Sequence, residues 1–271
     1  MLNSVKTNQH IEQGIAAMLD YYRGNDWMLN EHWPLNEPHV RLMLRDIMSR
    51  FPPFTSARVL DVGCFNGYIS VLLKQLGYEV TGTDACQATE HRDVFCRSGV
   101  KFVPCNMNEL DPFKAFARDS FEVVIIAQVI EHILNFPLGL IRGVVELMTP
   151  RGLLILTTPN PTTVMGAVRL LKGRSLLWGT QHFIDEPKID MERVISKADI
   201  HYREYTTDEL SHLIEGAGLL VERKQYLGLG LTRSQSLLKR FVKKNSITKR
   251  MMSRRLFASN HYVLANKPPV A

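Results

Sequence analysis

The stretch Arg58-Val-Leu-Asp-Val-Gly-Cys-Phe-Asn-Gly-Tyr-Ile-Ser70 decides how the chain is read. Val59 to Val62 are apolar except for Asp61, as expected of a strand buried on both faces of a parallel sheet. Gly63 and Gly67 break that strand, and Tyr68 to Leu76 resume apolar spacing at helical period before Gly77, a suitable helix-ending residue. The unit is therefore strand, glycine turn, helix. Such a turn lets a ligand approach the backbone closely and points helix N–H groups at it.

The acids indicate which ligand. A dinucleotide site reads G-x-G-x-x-G, its glycines making room for a pyrophosphate. Here only Gly63 and Gly67 are present, and Asp61 stands just before the first. A carboxylate at a strand end repels a pyrophosphate and suits a ligand carrying an ammonium group. A second acid, Asp84, closes the apolar stretch that begins at Tyr78, where a doubly wound fold holds a ribose. The interval from Gly63 to Asp84 suits either cofactor; Asp61 discriminates.

With these residues the chain resembles the class I S-adenosylmethionine (SAM) methyltransferases, whose first motif runs acid-x-Gly-x-Gly-x-Gly. Asp61, Gly63 and Gly67 match, while Phe65 occupies the middle glycine. The stretches Ser120–His132 and Leu147–Asn160 resemble the fourth and fifth strands with their adjoining turns, so the likeness runs in order over about residues 55–160. It implies a doubly wound, mostly parallel, seven-stranded Rossmann-like α/β sheet with an antiparallel edge hairpin. On that pattern Asp61 lies near the methionine end of SAM, Gly63, Cys64 and Gly67 give backbone contact, Asp84 with Ala85 holds the ribose, Asn106 and Met107 frame the adenine, and Gln128 lines the sulfonium side.

Length and composition bound the alternatives. In 271 residues, 45% hydrophobic and 22% charged, one decorated globular domain is expected. No apolar run approaches the ~18 residues of a membrane-spanning helix. The first ten residues lack the apolar centre of a secretory signal. Cys64, Cys86, Cys96 and Cys105 form no C-x-x-C pair, so a reduced, cytoplasmic setting is expected, without a structural zinc or disulfide framework.

Residues 1–52 precede the sheet and read as an N-terminal helical lid, ahead of a SAM-binding domain over 53–271 with insertions at about 162–204 and 230–258. Ile11–Tyr22 and Asn36–Arg50 have helical spacing, with Pro38 near the start of the second. The mixed aromatic and polar segment between them, Asn25–Pro34, reads equally as a lid over the pocket or as a packing flap. A short helix over Ala88–Ser98 and strands at Val100–Cys105, Phe121–Gln128 and Gly152–Thr157 follow. Asn106 offers a carbonyl oxygen to an adenine amino group or, alternatively, caps a helix before Glu109. Thr206 or Thr207 is expected to cap a helix with Glu209, and Leu219–Leu227 and His261–Ala265 to form the edge hairpin.

The net charge of +6 is concentrated in one place. Residues 232–257 hold nine Lys and Arg and no acid; the rest of the chain has 24 basic against 27 acidic residues, a net of −3. Leu237, Leu238, Phe241 and Val242 beside Lys239, Arg240, Lys243 and Lys244 fit a solvated helix, a helix lying on anionic membrane, or a nucleic-acid patch. The segment lacks the repeated aromatics of a base-stacking platform, which disfavours nucleic acid.

Methyl transfer from a sulfonium proceeds by in-line displacement, so alignment supplies much of the catalysis. An oxygen acceptor also needs a general base or a metal that lowers its pKa. Gln128-Val-Ile-Glu-His132, Thr158-Pro-Asn160 and His201 form an ordered set along the rim. It resembles an arrangement in ubiquinone-pathway O-methyltransferases and in small-RNA 3′-end 2′-O-methyltransferases. There a Glu-x-x-Glu-His element binds a divalent ion, joined in the RNA enzymes by a downstream His. Here Gln128 replaces the first Glu, which weakens a site for a hard cation. Glu131, His132 and His201 are thus the candidate catalytic residues, with His132 as a base or as part of a metal site. The expected activity is methylation, at oxygen, of a small-molecule or lipid- or sugar-linked acceptor. The alternatives are a SAM-binding protein without turnover, given Phe65 and Gln128, and an RNA 2′-O-methyltransferase.

Overall fold

The structure, a computed structural model, describes residues 2–85, 89–134, 136–177, 201–228, 256 and 258–269. Its centre is a seven-stranded sheet in the order β3-β2-β1-β4-β5-β7-β6. The strands are β1 (Arg58–Val62), β2 (Glu79–Asp84), β3 (Lys101–Pro104), β4 (Phe121–Ala127), β5 (Met148–Pro159), β6 (Leu220–Leu227) and β7 (Asn260–Asn266). All neighbours from β3 to β5 run parallel; β7 is antiparallel to both β5 and β6. Strand β7 alone is therefore reversed, and β6 forms the edge.

Alternation along the strands divides the core into two layers. Val59, Val123, Ile125, Leu153 and Ile155 pack with α1 (Leu2–Tyr21), α2 (Trp33–Arg50), α3 (Tyr68–Gln75) and α4 (Thr89–Ser98). Leu60, Val62, Val124, Ile126, Leu154 and Leu156 face α5 (Pro137–Leu147) and α7 (Thr207–Gly216) on the other side. Each such side chain, removed fully from water, contributes at most about 1.5–3 kcal/mol. A further helix, α6 (Val164–Leu171), follows β5 and is capped by Thr163, whose hydroxyl accepts the Gly166 N–H.

Several local expectations hold. Gly77 has φ +81° just past α3. Thr206 and Glu209 form a reciprocal capping box at the start of α7. Pro104 lies in the edge strand β3, where a missing donor is tolerated.

Others need correction. The first helix starts at Leu2 rather than Ile11, and the segment ahead of α2 is itself helical: Met28–His32 forms one turn of π-helix running directly into α2. Pro34 occupies the first turn of α2, where its missing N–H costs nothing, and Pro38 lies inside the helix. Strand β5 reaches back to Met148, through a register shift opposite Phe121 and Val123. No helix follows Asn106; the backbone turns instead. The basic run falls outside the described residues except for Leu256, and so do residues 178–200 of the first insertion. Among the described residues, no helix is long and apolar enough to cross a membrane.

Candidate active site

The C-terminal ends of β1, β2, β4 and β5 share one rim, where open α/β sheets bind ligands. Gly63 leaves β1 at φ +67°, and a Cβ there would meet Val129 Cγ2 at 2.4 Å; Gly67 has φ +84° and would strike Phe95. Glycine is required at both positions by conformation and by space. Phe65 occupies a left-handed conformation (φ +49°), which accounts for the glycine usual there, and its half-exposed ring points outward.

Four N–H groups of this turn are consumed internally. Those of Gly63 and Cys64 both donate to the Thr83 carbonyl, at 2.7 and 3.0 Å, and that of Gly67 donates to the Cys64 carbonyl at 2.8 Å. The Phe65 N–H donates to Asp84 Oδ2 at 2.9 Å. A phosphate-binding loop presents these donors to the ligand. Here those four donors are already used, while the strands on either side bring the carboxylates of Asp61 and Asp84 to the rim, an arrangement that suits a cation. Gly63, Cys64 and Gly67 are thus placed for close contact, but not through those amides.

Asp61 is buried near the C-terminal end of β1. Its Oδ2 accepts the Ser70 hydroxyl at 2.6 Å, and its buried Oδ1 has no protein partner. Burial pushes its pKa up to about 7 against the pull of the Ser70 hydrogen bond, and Asp84 adds to the rise. An orphaned, desolvated carboxylate oxygen fits the ammonium of an amino-acid ligand. Asp84 ends β2, and Ala85 follows, exposed. Met107 is buried next to Cys105. Asn106 is exposed, and its Oδ1 already accepts the Asn108 N–H at 3.0 Å.

A second group gathers past β4. Gln128 is held at φ +58° and donates from Nε2 to Thr157 Oγ1 at 3.2 Å. The 3-10 turn Ile130–His132 buries the Glu131 side chain completely. Glu131 Oε2 accepts the Thr158 hydroxyl at 2.9 Å, whereas Oε1 is buried without a partner, and burial raises the pKa to about 7. The Tyr202 N–H donates to the Glu131 carbonyl at 2.8 Å, bringing the segment ahead of α7 onto this turn. His132 and His201 then meet edge to face, ring centroids 5.0 Å apart. One ligand atom each from Glu131, His132 and His201 lies within 4.8 Å of the others. His201 Nδ1 is 3.1 Å from Glu204 Oε1, so a proton on Nδ1 makes Nε2 the accepting nitrogen of the ring.

The rim therefore unites all three candidate catalytic residues, while Asp61, Asp84 and the glycine turn lie together one and two strands away. Two further sets of contacts position the rim. Asn108 accepts the Leu134 N–H at 2.8 Å and donates to the His132 carbonyl at 3.4 Å, fixing the turn after β4. In the leader, Tyr22 donates its hydroxyl to the Asn66 carbonyl at 2.7 Å, and Trp27 and His32 face Phe65. Asn108 stands in no motif; the aromatics of 25–34 were the signal for the second.

A family model described as a methyltransferase domain matches residues 37–224. The ubiquinone biosynthesis O-methyltransferase of Xanthomonas axonopodis pv. citri is 28% identical over 204 residues, covering 72% of this chain and 78% of that protein. The protein of the same name from Cereibacter sphaeroides (strain ATCC 17029) is 30% identical over 202 residues, covering 72% and 74%. The solved 1,6-didemethyltoxoflavin-N1-methyltransferase of Burkholderia thailandensis, with bound 1,6-didemethyltoxoflavin and S-adenosylhomocysteine, shares the fold at a TM-score of 0.55 and 19% identity, over 93% of this chain and 88% of that one. The matched domain, the seven-stranded sheet and the ubiquinone O-methyltransferase relatives place this chain in the methyltransferase-domain family, as a class I SAM-dependent methyltransferase.

Proposed function

We propose that the chain transfers the methyl group of SAM to a hydroxyl oxygen of a small molecule, with His132 as the general base. The observation that carries this reading is the convergence of Glu131, His132 and His201 at the end of β4. The names of the relatives, O-methyltransferases of ubiquinone biosynthesis, support oxygen as the acceptor atom. On this reading Asp61 receives the ammonium of SAM, Asp84 and Ala85 its ribose, Asn106 and Met107 its adenine, and Gln128 faces the sulfonium. Gly63, Cys64 and Gly67 provide the close backbone surface. Residues 1–52 act as the lid of a cofactor domain spanning 53–271.

In the reaction the acceptor hydroxyl gives its proton to a His132 nitrogen while its oxygen attacks the methyl carbon in line; the bond to sulfur breaks and S-adenosylhomocysteine leaves. A positioned base of this kind contributes roughly 10²–10⁴-fold. Glu131, buried behind the histidines, stabilises the imidazolium that forms.

One observation favours a second reading. The buried, unpartnered Glu131 Oε1 and two histidine nitrogens within 4.8 Å form a mixed O/N donor set that suits a small divalent cation. Such an ion, held by Glu131, His132 and His201, would lower the acceptor hydroxyl's pKa. Incubation with labelled SAM and a panel of hydroxyl compounds tests the function. Label in an alkali-stable ether supports it; label only on nitrogen or carbon overturns it. Chelation stops a metal-assisted enzyme and spares a simple base.

A further inference from the structure

We propose that His32, in the π-helical turn of the leader, is a cofactor-binding residue that donates a hydrogen bond from Nε2 to the methionine carboxylate of SAM. The inference rests on SAM being the cofactor, and begins from a deficit in the glycine turn. The amino-acid end of SAM is a zwitterion and needs an acceptor for its ammonium and a donor for its carboxylate. Asp61 Oδ1, buried and unpartnered, answers the first need. The turn cannot answer the second with the N–H groups of Gly63, Cys64, Phe65 and Gly67, which are spent on Thr83, Asp84 and Cys64. With these four amides spent, a side chain above the turn can supply the donor without breaking any of these bonds.

His32 occupies that place. Its ring meets Tyr68, the first residue of α3, edge-on at 5.1 Å, and Phe65 at 5.9 Å. Tyr68 in turn lies near enough to Asp61 for that carboxylate to help raise the phenol's pKa, although burial is the larger cause. The candidate partners for the two ends of the zwitterion thus both lie near Tyr68. Trp27 stacks on His32 at 4.6 Å with the planes 31° apart, which fixes the ring. His32 Nε2 is buried and has no protein partner, a state that typically costs about 1–3 kcal/mol. Burial lowers the imidazole pKa to about 4, so the ring stays neutral and offers one N–H. A π-turn is an uncommon conformation, found preferentially at functional sites. The leader is also anchored to the turn, since Tyr22 bonds the Asn66 carbonyl and Asn66 Nδ2 contacts Met28 Sδ at 3.5 Å.

The test compares two ligands on the full-length protein by calorimetry: S-adenosylhomocysteine and 5′-methylthioadenosine, a nucleoside thioether lacking the amino-acid group. His32→Phe should weaken S-adenosylhomocysteine about tenfold, the scale of one hydrogen bond to a charged group, and leave methylthioadenosine within about twofold. His32→Gln, which keeps a side-chain N–H, should recover most of the loss. Equal weakening of both ligands, or no weakening of either, overturns the proposal and leaves His32 a packing residue. Should His32→Phe fail to fold, as judged by thermal melting, the decision passes to His32→Gln and to wild type with S-adenosylhomocysteine lacking its carboxylate. Wild type must then lose about tenfold on removal of the carboxylate, and His32→Gln nearly as much; no loss in wild type overturns the proposal. Failure of wild type to bind either ligand would instead remove the cofactor assignment, and the proposal with it.

Discussion

The backbone N–H of Tyr202 donates to the carbonyl of Glu131 at 2.8 Å, joining the segment ahead of α7 to the turn that follows the central strand. This bond places His201 against His132, and Glu204 orients the His201 ring through Nδ1. On the proposed reading, the acceptor side of the pocket is built by Glu131, His132 and His201, apart from the glycine turn. His132→Ala should lower kcat by about 10²–10⁴-fold, and His201→Ala by at least about tenfold, with S-adenosylhomocysteine affinity within about twofold of wild type. Steady-state kinetics beside calorimetry checks this separation; a parallel loss of cofactor affinity would contradict it.

Asp61 gives the cofactor site a pH dependence of definite sign. With its pKa raised to about 7, the carboxyl is largely neutral at pH 6 and charged at pH 8. Affinity for the ammonium-bearing cofactor should rise between these values, and the rise should vanish in Asp61→Asn.

The same raised pKa acts on stability. Because the folded pKa lies above the unfolded one, the contribution of Asp61 is fully present below about pH 4 and is lost as pH rises through about 7. Without ligand, Asp61→Asn should melt higher relative to wild type at pH 8 than at pH 5. Each tenfold difference in proton affinity between the folded and unfolded states is worth at most roughly 1.4 kcal/mol. Melting curves at the two pH values decide it.

The close approach of Gly63 to Val129 holds the two halves of the rim together. Gly63→Ala places a Cβ at 2.4 Å from Val129 Cγ2 on a residue with φ +67°. It should destabilise by about 2 kcal/mol or more, part conformational and part steric. Val129→Ala in the same chain should recover the steric part only, as read by chemical denaturation.

Away from the rim, Asp46 on α2 accepts hydrogen bonds from Arg223 of β6 and Tyr262 of β7, tying the leader to the sheet edge. Asp46→Ala should cost about 1–3 kcal/mol, since it leaves two partly or fully buried donors unmatched, while S-adenosylhomocysteine affinity stays unchanged. Urea denaturation with calorimetry separates the two effects.

The parts of this molecule legible in its sequence are those where one local rule dominates. Runs such as Val123–Ile126 can only be strands covered on both faces, and Gly63, Gly67 and Gly77 mark turns that demand positive φ. Thr206 with Glu209 announces a helix start by chemistry alone. The illegible parts depend on distant partners. The π-turn at Met28–His32 arises where the leader packs against Phe65 and Tyr68, residues of another element. Strand β5 continues back to Met148 because Phe121 pairs with it, despite Pro150 and a left-handed Arg151. For the candidate site, the placement of Asp61, Asp84 and the Glu131–His132 pair along one rim was readable from position in a strand-turn pattern. That four of the turn amides are internally satisfied, and that Glu131 Oε1 and His32 Nε2 are buried without partners, are facts of three-dimensional accounting that no spacing encodes.

The central claim is that the rim of β1 and β2 holds an S-adenosyl cofactor rather than a dinucleotide. Calorimetric titration of the full-length protein with S-adenosylhomocysteine, and separately with NADH, tests it most directly. The account predicts saturable binding of S-adenosylhomocysteine at one site per chain, weakened about 10–100-fold by Asp84→Ala through loss of hydrogen bonds to a charged acceptor, and no binding of NADH. Saturable binding of NADH with none of S-adenosylhomocysteine would contradict it.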